Sequence, residues 1–107
     1  MLMGLSDTAV SSVVFTFDCE VAARLIATIA HPARLEVMRL VVLREWDVGS
    51  LAARVNLSQS ALSQHLKKLR DAGLVTTRRE AQSILYFCQS SEIRRLLASV
   101  EEALAPE

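Results

Sequence analysis

The stretch Leu57–Val75, LSQSALSQHLKKLRDAGLV, constrains this chain more than any other. It carries a start signal, two distinct faces and a stop signal for one helix. Ser58 suits the N-cap, because its oxygen can accept an orphan amide of the first turn. Leu62, Leu66 and Leu69 recur at helical spacing as an apolar stripe, flanked by Ala61 and His65. Gly73 ends the helix, since glycine takes the left-handed C-cap conformation at little cost. The other face has an unusual composition. Solvated helix faces are rich in Glu and Lys, whereas the first two turns here offer Gln59, Ser60, Ser63 and Gln64. A Gln amide can both donate to and accept from adenine, and a Ser hydroxyl can pair with several bases. Lys67, Lys68 and Arg70 follow, where phosphates would flank a helix lying in a major groove. Taken alone, the stretch also fits a plain amphipathic helix with a polar outer face.

The charge pattern bears on that choice. The chain has a formal net charge of +0, which argues against nucleic-acid binding by bulk charge. Yet Ser58 to Arg79 carries Lys67, Lys68, Arg70, Arg78 and Arg79 against Asp71 alone, so positive charge is concentrated there. The chain's 107 residues fit one domain, and a hydrophobic content of 51% supports a core. The mean hydropathy of +0.30 is high for a small monomer and points to a buried oligomer surface. No run approaches the roughly 20 apolar residues that span a membrane. The N-terminus lacks the basic region of a signal peptide. A cytoplasmic protein without membrane contact is expected.

In chain order, residues 1–17 read as a loose N-terminal arm, in which Val13–Phe17 (VVFTF) is either a short strand or an extended arm packing on a partner. Residues 18–107 form the folded domain. Asp18 caps a first helix whose two apolar rows, Val21, Leu25, Ile29 and Ala22, Ile26, Ala30, suit a seam to a second subunit. Pro32 opens a second helix, with Leu35, Met38, Val41 and Val42 inward. Trp46 and Asp47 mark a short turn. Val48–Val55 is a short helix, with Leu51, Ala52 and Val55 apolar, and Asn56-Leu57 turns the chain into the Ser58 helix. Short helix, tight turn and second helix make a helix-turn-helix. Leu74–Cys88 then reads as a β-hairpin with Arg78, Arg79 and Gln82 near its tip. The tip lacks Gly and Asn, which predicts a turn longer than two residues. Ser91 caps a last helix with Ile93, Leu96, Leu97, Val100 and Leu104 as its apolar stripe. The fold class is mainly α with a two-stranded β-wing.

The segments HPARLEVMRLV and LSQSALSQHLKKLRDAGLVTTRREAQSILYF resemble the ArsR/SmtB family of bacterial repressors. The resemblance runs from about Ala22 to Leu97. The wording SQSALSQHL with TTRREAQSI is most similar to the non-metal branch of nodulation-regulator and hemolysin-activator type. The resemblance implies a winged helix-turn-helix and a homodimer joined through its first and last helices. It also implies repression from an inverted-repeat operator in double-stranded DNA. Carried onto this sequence, the family's recognition-helix positions are Gln59, Ser60, Ser63 and Gln64, and its wing arginines are Arg78 and Arg79. The family's sensing sites are not matched. Val48-Gly49-Ser50-Leu51 has no Cys-x-Cys, the last helix has no His, and VMRL of the second helix has no Cys. No metal site or cofactor is expected, and the effector is open.

Two cysteines remain, Cys19 and Cys88. They are either small buried hydrophobes or a thiol sensor of oxidant, reactive sulfur or a thiophilic metalloid such as arsenite. His31 fits capping at the junction of the first two helices, and His65 fits a hydrogen bond within the domain. No phosphate-cradling glycine loop, nucleophile–base motif or facing carboxylate pair occurs, so no catalytic residue is expected. The competing class is a winged-helix protein-interaction module without specific DNA binding. The uncharged Gln/Ser face with flanking cations separates the two, because an adaptor has no use for it.

Overall fold

Helices begin where a polar side chain can cover their first amides. The computed structural model describes residues 14–106. Asp18 caps α1 (Cys19–Ile29), its carboxylate accepting from the Glu20 and Val21 amides at 2.9 and 3.2 Å. His31 caps α2 (Pro32–Val41), its Nδ1 accepting from the Ala33 amide at 3.1 Å. Asp47 caps α3 (Val48–Val55) by accepting from the Ser50 amide at 2.8 Å. Ser58 caps α4 (Gln59–Asp71) by accepting from the Ala61 amide at 3.0 Å. The last helix, α5 (Ser91–Leu104), starts one residue earlier than the sequence implied. Ser90, not Ser91, is the cap, because its Oγ accepts from the Ile93 amide at 3.1 Å.

Two helix ends share one device. Asn56 lies at φ 59° and Gly73 at φ 75°. The next residue then bonds back across the turn, Leu57 N–H to the Ala52 carbonyl at 3.0 Å and Leu74 N–H to the Leu69 carbonyl at 2.9 Å. This Schellman geometry satisfies the last carbonyls and redirects the chain. It places α3 against α4 and sends the chain from α4 into the wing.

The apolar stripe of α4 holds the core together. Leu62 and Leu69 are 0% exposed, and they join Val37, Met38 and Val41 of α2 and Leu51, Ala52 and Val55 of α3. Ile29, Val42, Leu66, Leu74, Val75, Cys88 and Ile93 complete the cluster. Val37 was not among the inward residues expected of α2, and Leu35, which was, is only part-buried.

The hairpin pairs β2 (Thr76–Glu80) with β3 (Ser83–Phe87), from Thr76↔Phe87 to Glu80↔Ser83. The turn is therefore Ala81-Gln82, shorter than expected. Ala81 takes φ 55°, supplying the positive φ that two-residue hairpin turns need without a glycine. Trp46-Asp47 also differs from expectation. It forms a short strand, β1 (Trp46–Asp47), paired with β3 through Trp46↔Tyr86 and Asp47↔Leu85. The Trp46 indole N–H is held by the Leu40 carbonyl at 3.0 Å, and the Arg44 guanidinium stacks 3.4 Å from the ring centroid. The sheet order is β1-β3-β2, so the two-stranded wing gains a third strand at its base.

The expected arm, residues 1–17, lies outside the described residues apart from Val14–Phe17. That segment has neither helix nor strand, and the Phe15 and Phe17 rings meet edge to face at 6.4 Å. Val21 and Ile26 on α1 are each 55% exposed, and Leu104 on α5 is 78% exposed. No described helix is long and apolar enough to cross a membrane.

Candidate nucleic-acid interface

The α4 helix is fixed from behind and open in front. Burial of Leu62, Leu66 and Leu69 sets its rotation. That rotation turns Gln59, Ser60, Ser63 and Gln64 outward, and all four are exposed. Side-chain bonds on the helix involve other residues: the Ser58 cap, a Lys67–Asp71 pair at 2.9 Å, and His65. The uncharged face is thus unengaged by those bonds. Lys68 and Arg70 are exposed beside it, and no ion pair of theirs is found among the described residues. Lys67 is exposed too, but shared with Asp71.

Behind the helix, His65 ties α4 to the joint between α1 and α2. Its Nδ1 accepts from Arg34 Nε at 3.2 Å. Arg34 Nη1 donates in turn to the Thr28 carbonyl at 2.9 Å, so one guanidinium clamps three helices. The His31 and His65 rings lie 4.7 Å apart. Burial, with His31, Arg34 and Lys68 adding positive charge, pushes the His65 pKa below the usual histidine value. Both histidines take the structural roles expected of them. Arg34 was not singled out from the sequence, where nothing marks it as a clamp.

The wing separates its two arginines. Thr76, Arg78 and Glu80 alternate onto one face, and Thr77 and Arg79 onto the other. Arg79 is exposed, with no ion pair found among the described residues. Arg78 is committed: Nη2 donates to Glu45 Oε1 at 2.8 Å, Nε donates to Glu45 Oε2, and Nη2 also reaches Glu80 Oε2 at 3.2 Å. These bonds hold the Glu45 carboxyl below the usual carboxylate range and raise the Arg78 pKa further. Gln82 is exposed in the tip turn. Glu45 is the residue that sequence reading missed, because it acts on a partner 33 positions away.

The cysteines are both free and differ in setting. Cys19 is exposed in the first turn of α1. Cys88 is buried, its amide bonded to the Val41 carbonyl at 3.0 Å. Among the described residues, no group of three or more His, Cys, Asp or Glu is placed to hold a metal ion.

Comparison with known proteins settles the family. Residues 31–77 match the profile of the bacterial regulatory protein, arsR family. Over 85 residues the chain is 46% identical to the nodulation protein NolR of Rhizobium meliloti, covering 79% of this chain and 70% of that protein. The chain belongs to the ArsR family. It is 43% identical over 76 residues to the transcriptional activator HlyU of Vibrio cholerae, covering 71% of this chain and 70% of that protein. The crystal structure of NolR from Sinorhizobium fredii superposes with a TM-score of 0.77 at 44% identity, covering 83% and 89% of the two chains. The homodimeric winged helix-turn-helix domain Mb0332 of Mycobacterium bovis superposes with a TM-score of 0.72 at 27% identity, covering 79% of each. This ArsR-family chain is therefore a winged helix-turn-helix transcriptional regulator of the kind the sequence resembled.

Proposed function

We propose that the chain acts in the cytoplasm as a homodimeric repressor of an inverted-repeat operator. Each α4 lies in a major groove, with Gln59, Ser60, Ser63 and Gln64 on base edges. Lys67, Lys68 and Arg70 lie on the flanking phosphates, and Arg79 and Gln82 carry the wing onto the backbone. The observation that carries this reading is the outward Gln/Ser face of α4, exposed and uncharged beside the exposed cations Lys68 and Arg70. The pair is built through α1 and α5, whose apolar residues Val21, Ile26 and Leu104 are exposed in the single chain. The homodimeric state of the structural relative Mb0332 supports a pair of chains. Two-fold symmetry then spaces the recognition helices about 34 Å apart, one turn of DNA.

Fluorescence anisotropy on the operator and on a scrambled duplex tests the assignment of roles. Gln64→Ala should weaken operator binding by about 1–3 kcal/mol and relax base preference. Arg79→Ala should weaken both duplexes alike and lower the salt slope by about one. Equal, sequence-blind losses from both substitutions would remove α4 as the reader of sequence.

A further inference from the structure

The wing carries two adjacent arginines, and the structure gives them opposite tasks. Arg78 stands opposite Leu85 on β3, and Asp47 of β1 stands opposite Leu85 from the other side. Strand β3 thus lies between Arg78 and the β1 edge. The Arg78 guanidinium nevertheless bonds Glu45, in the connection between α2 and β1, through Nε and Nη2. It therefore crosses the middle strand and straps the outer strand of the wing to the domain body. The Arg–carboxylate fork fixes direction as well as distance, because two parallel N–H bonds leave little rotational freedom. Glu80 takes the same guanidinium from within β2. One guanidinium shared by two carboxylates presents net negative charge to an approaching phosphate.

We propose that Arg78 is a positioning residue that sets the angle of the wing through Glu45, and that Arg79 alone of the pair meets the DNA backbone. This rests on the operator-binding reading above and refines which wing side chains serve it. Glu45 becomes a determinant of DNA affinity although it is itself an anion.

The sign of the Glu45 effect gives the test. Removing an anion near a phosphate contact should tighten binding, and releasing Arg78 to reach a phosphate should tighten it further. A strap predicts the reverse. Anisotropy titrations across a salt series on an operator duplex would compare Glu45→Gln, Arg78→Gln, the double variant and Arg79→Gln. Glu45→Gln is expected to weaken binding about two- to fivefold, the range that breaking a well-formed surface bridge supports. Arg78→Gln should lose as much with an unchanged salt slope, and the double variant no more than either single. Arg78→Lys, which keeps the charge without the fork, should not restore binding. Arg79→Gln should lower the slope by about one. Tighter binding by Glu45→Gln, or a lowered slope in Arg78→Gln, would overturn the strap.

A second readout needs no DNA. The 15N heteronuclear NOE of Ala81 and Gln82 should fall in Glu45→Gln and stay unchanged in Arg79→Gln. An unaltered tip in Glu45→Gln would overturn the strap whatever the titrations show. A loosened tip in a protein that binds no DNA would instead keep the strap and remove the operator reading. Glu45→Gln changes one charge and almost no volume, so it carries the test even if Arg78→Gln fails to fold.

Discussion

At the scale of residues, the protein separates groups that hold from groups that remain available. His65 and Gln64 are neighbours in sequence, yet His65 accepts from Arg34 behind the helix while Gln64 stands exposed in front. That contact makes acid a probe of the joint. The folded His65 pKa lies below its unfolded value, so the unfolded chain binds the extra proton first. Stability from this group is whole above the unfolded histidine value of about 6.5 and is lost as pH falls through the lower folded value. Denaturant unfolding followed downward from neutral pH should show this loss, and His65→Gln should remove that part of the slope. An identical pH dependence in His65→Gln would disprove the role. The carboxylates Glu45, Asp47 and Glu92 are also held below their usual values, by hydrogen bonds chiefly from Arg78, from the Ser50 amide and from the Glu92 amide itself. Their contributions are present above the ordinary carboxylate range and vanish at lower pH than the His65 step begins.

At the scale of elements, backbone conformation decides how the chain turns, and it can be tested in opposite directions at two positions. A Cβ on Gly73 would meet nothing within 4 Å, so Gly73→Ala reports the positive φ alone. It should destabilise the fold by about 1–2 kcal/mol. Ala81 already bears a Cβ at φ 55°, so Ala81→Gly should raise the melting temperature. A lower melting temperature for Ala81→Gly would mean that the turn is not strained. Leu66→Ala, in the stripe that fixes α4, should cost about 2–5 kcal/mol in chemical unfolding. These elements also show what a sequence can display. The α4 stretch was legible because cap, stripe and stop signal all lie within it. The short helix and the turn at Asn56 were legible for the same reason. Strand β1 was not, because two residues carry no period and its partners Leu85 and Tyr86 lie far along the chain. The tight turn was misjudged because Ala81 lacks the usual Gly or Asn signal. The Arg78–Glu45 fork was hidden because adjacent arginines look equivalent until strand alternation sends them to opposite faces.

At the scale of the whole molecule, the apolar faces of α1 and α5 and the Gln/Ser face of α4 belong to one account. The proposed dimer would cover the first two and set the spacing of the third. Ile26→Glu or Leu104→Glu should shift the protein toward monomer in sedimentation equilibrium and lose operator affinity, while free monomers keep the helical circular dichroism signal. A dimer undisturbed by both changes would place the interface elsewhere. Whether the molecule reads sequence at all is tested most directly by selecting bound duplexes from a random-sequence pool with the intact protein. A homodimeric sequence reader should enrich one two-fold symmetric sequence, its half-sites about 10–10.5 base pairs apart from centre to centre. A pool that gains no sequence preference after repeated rounds would contradict this reading and leave a winged-helix module that binds protein in place of DNA.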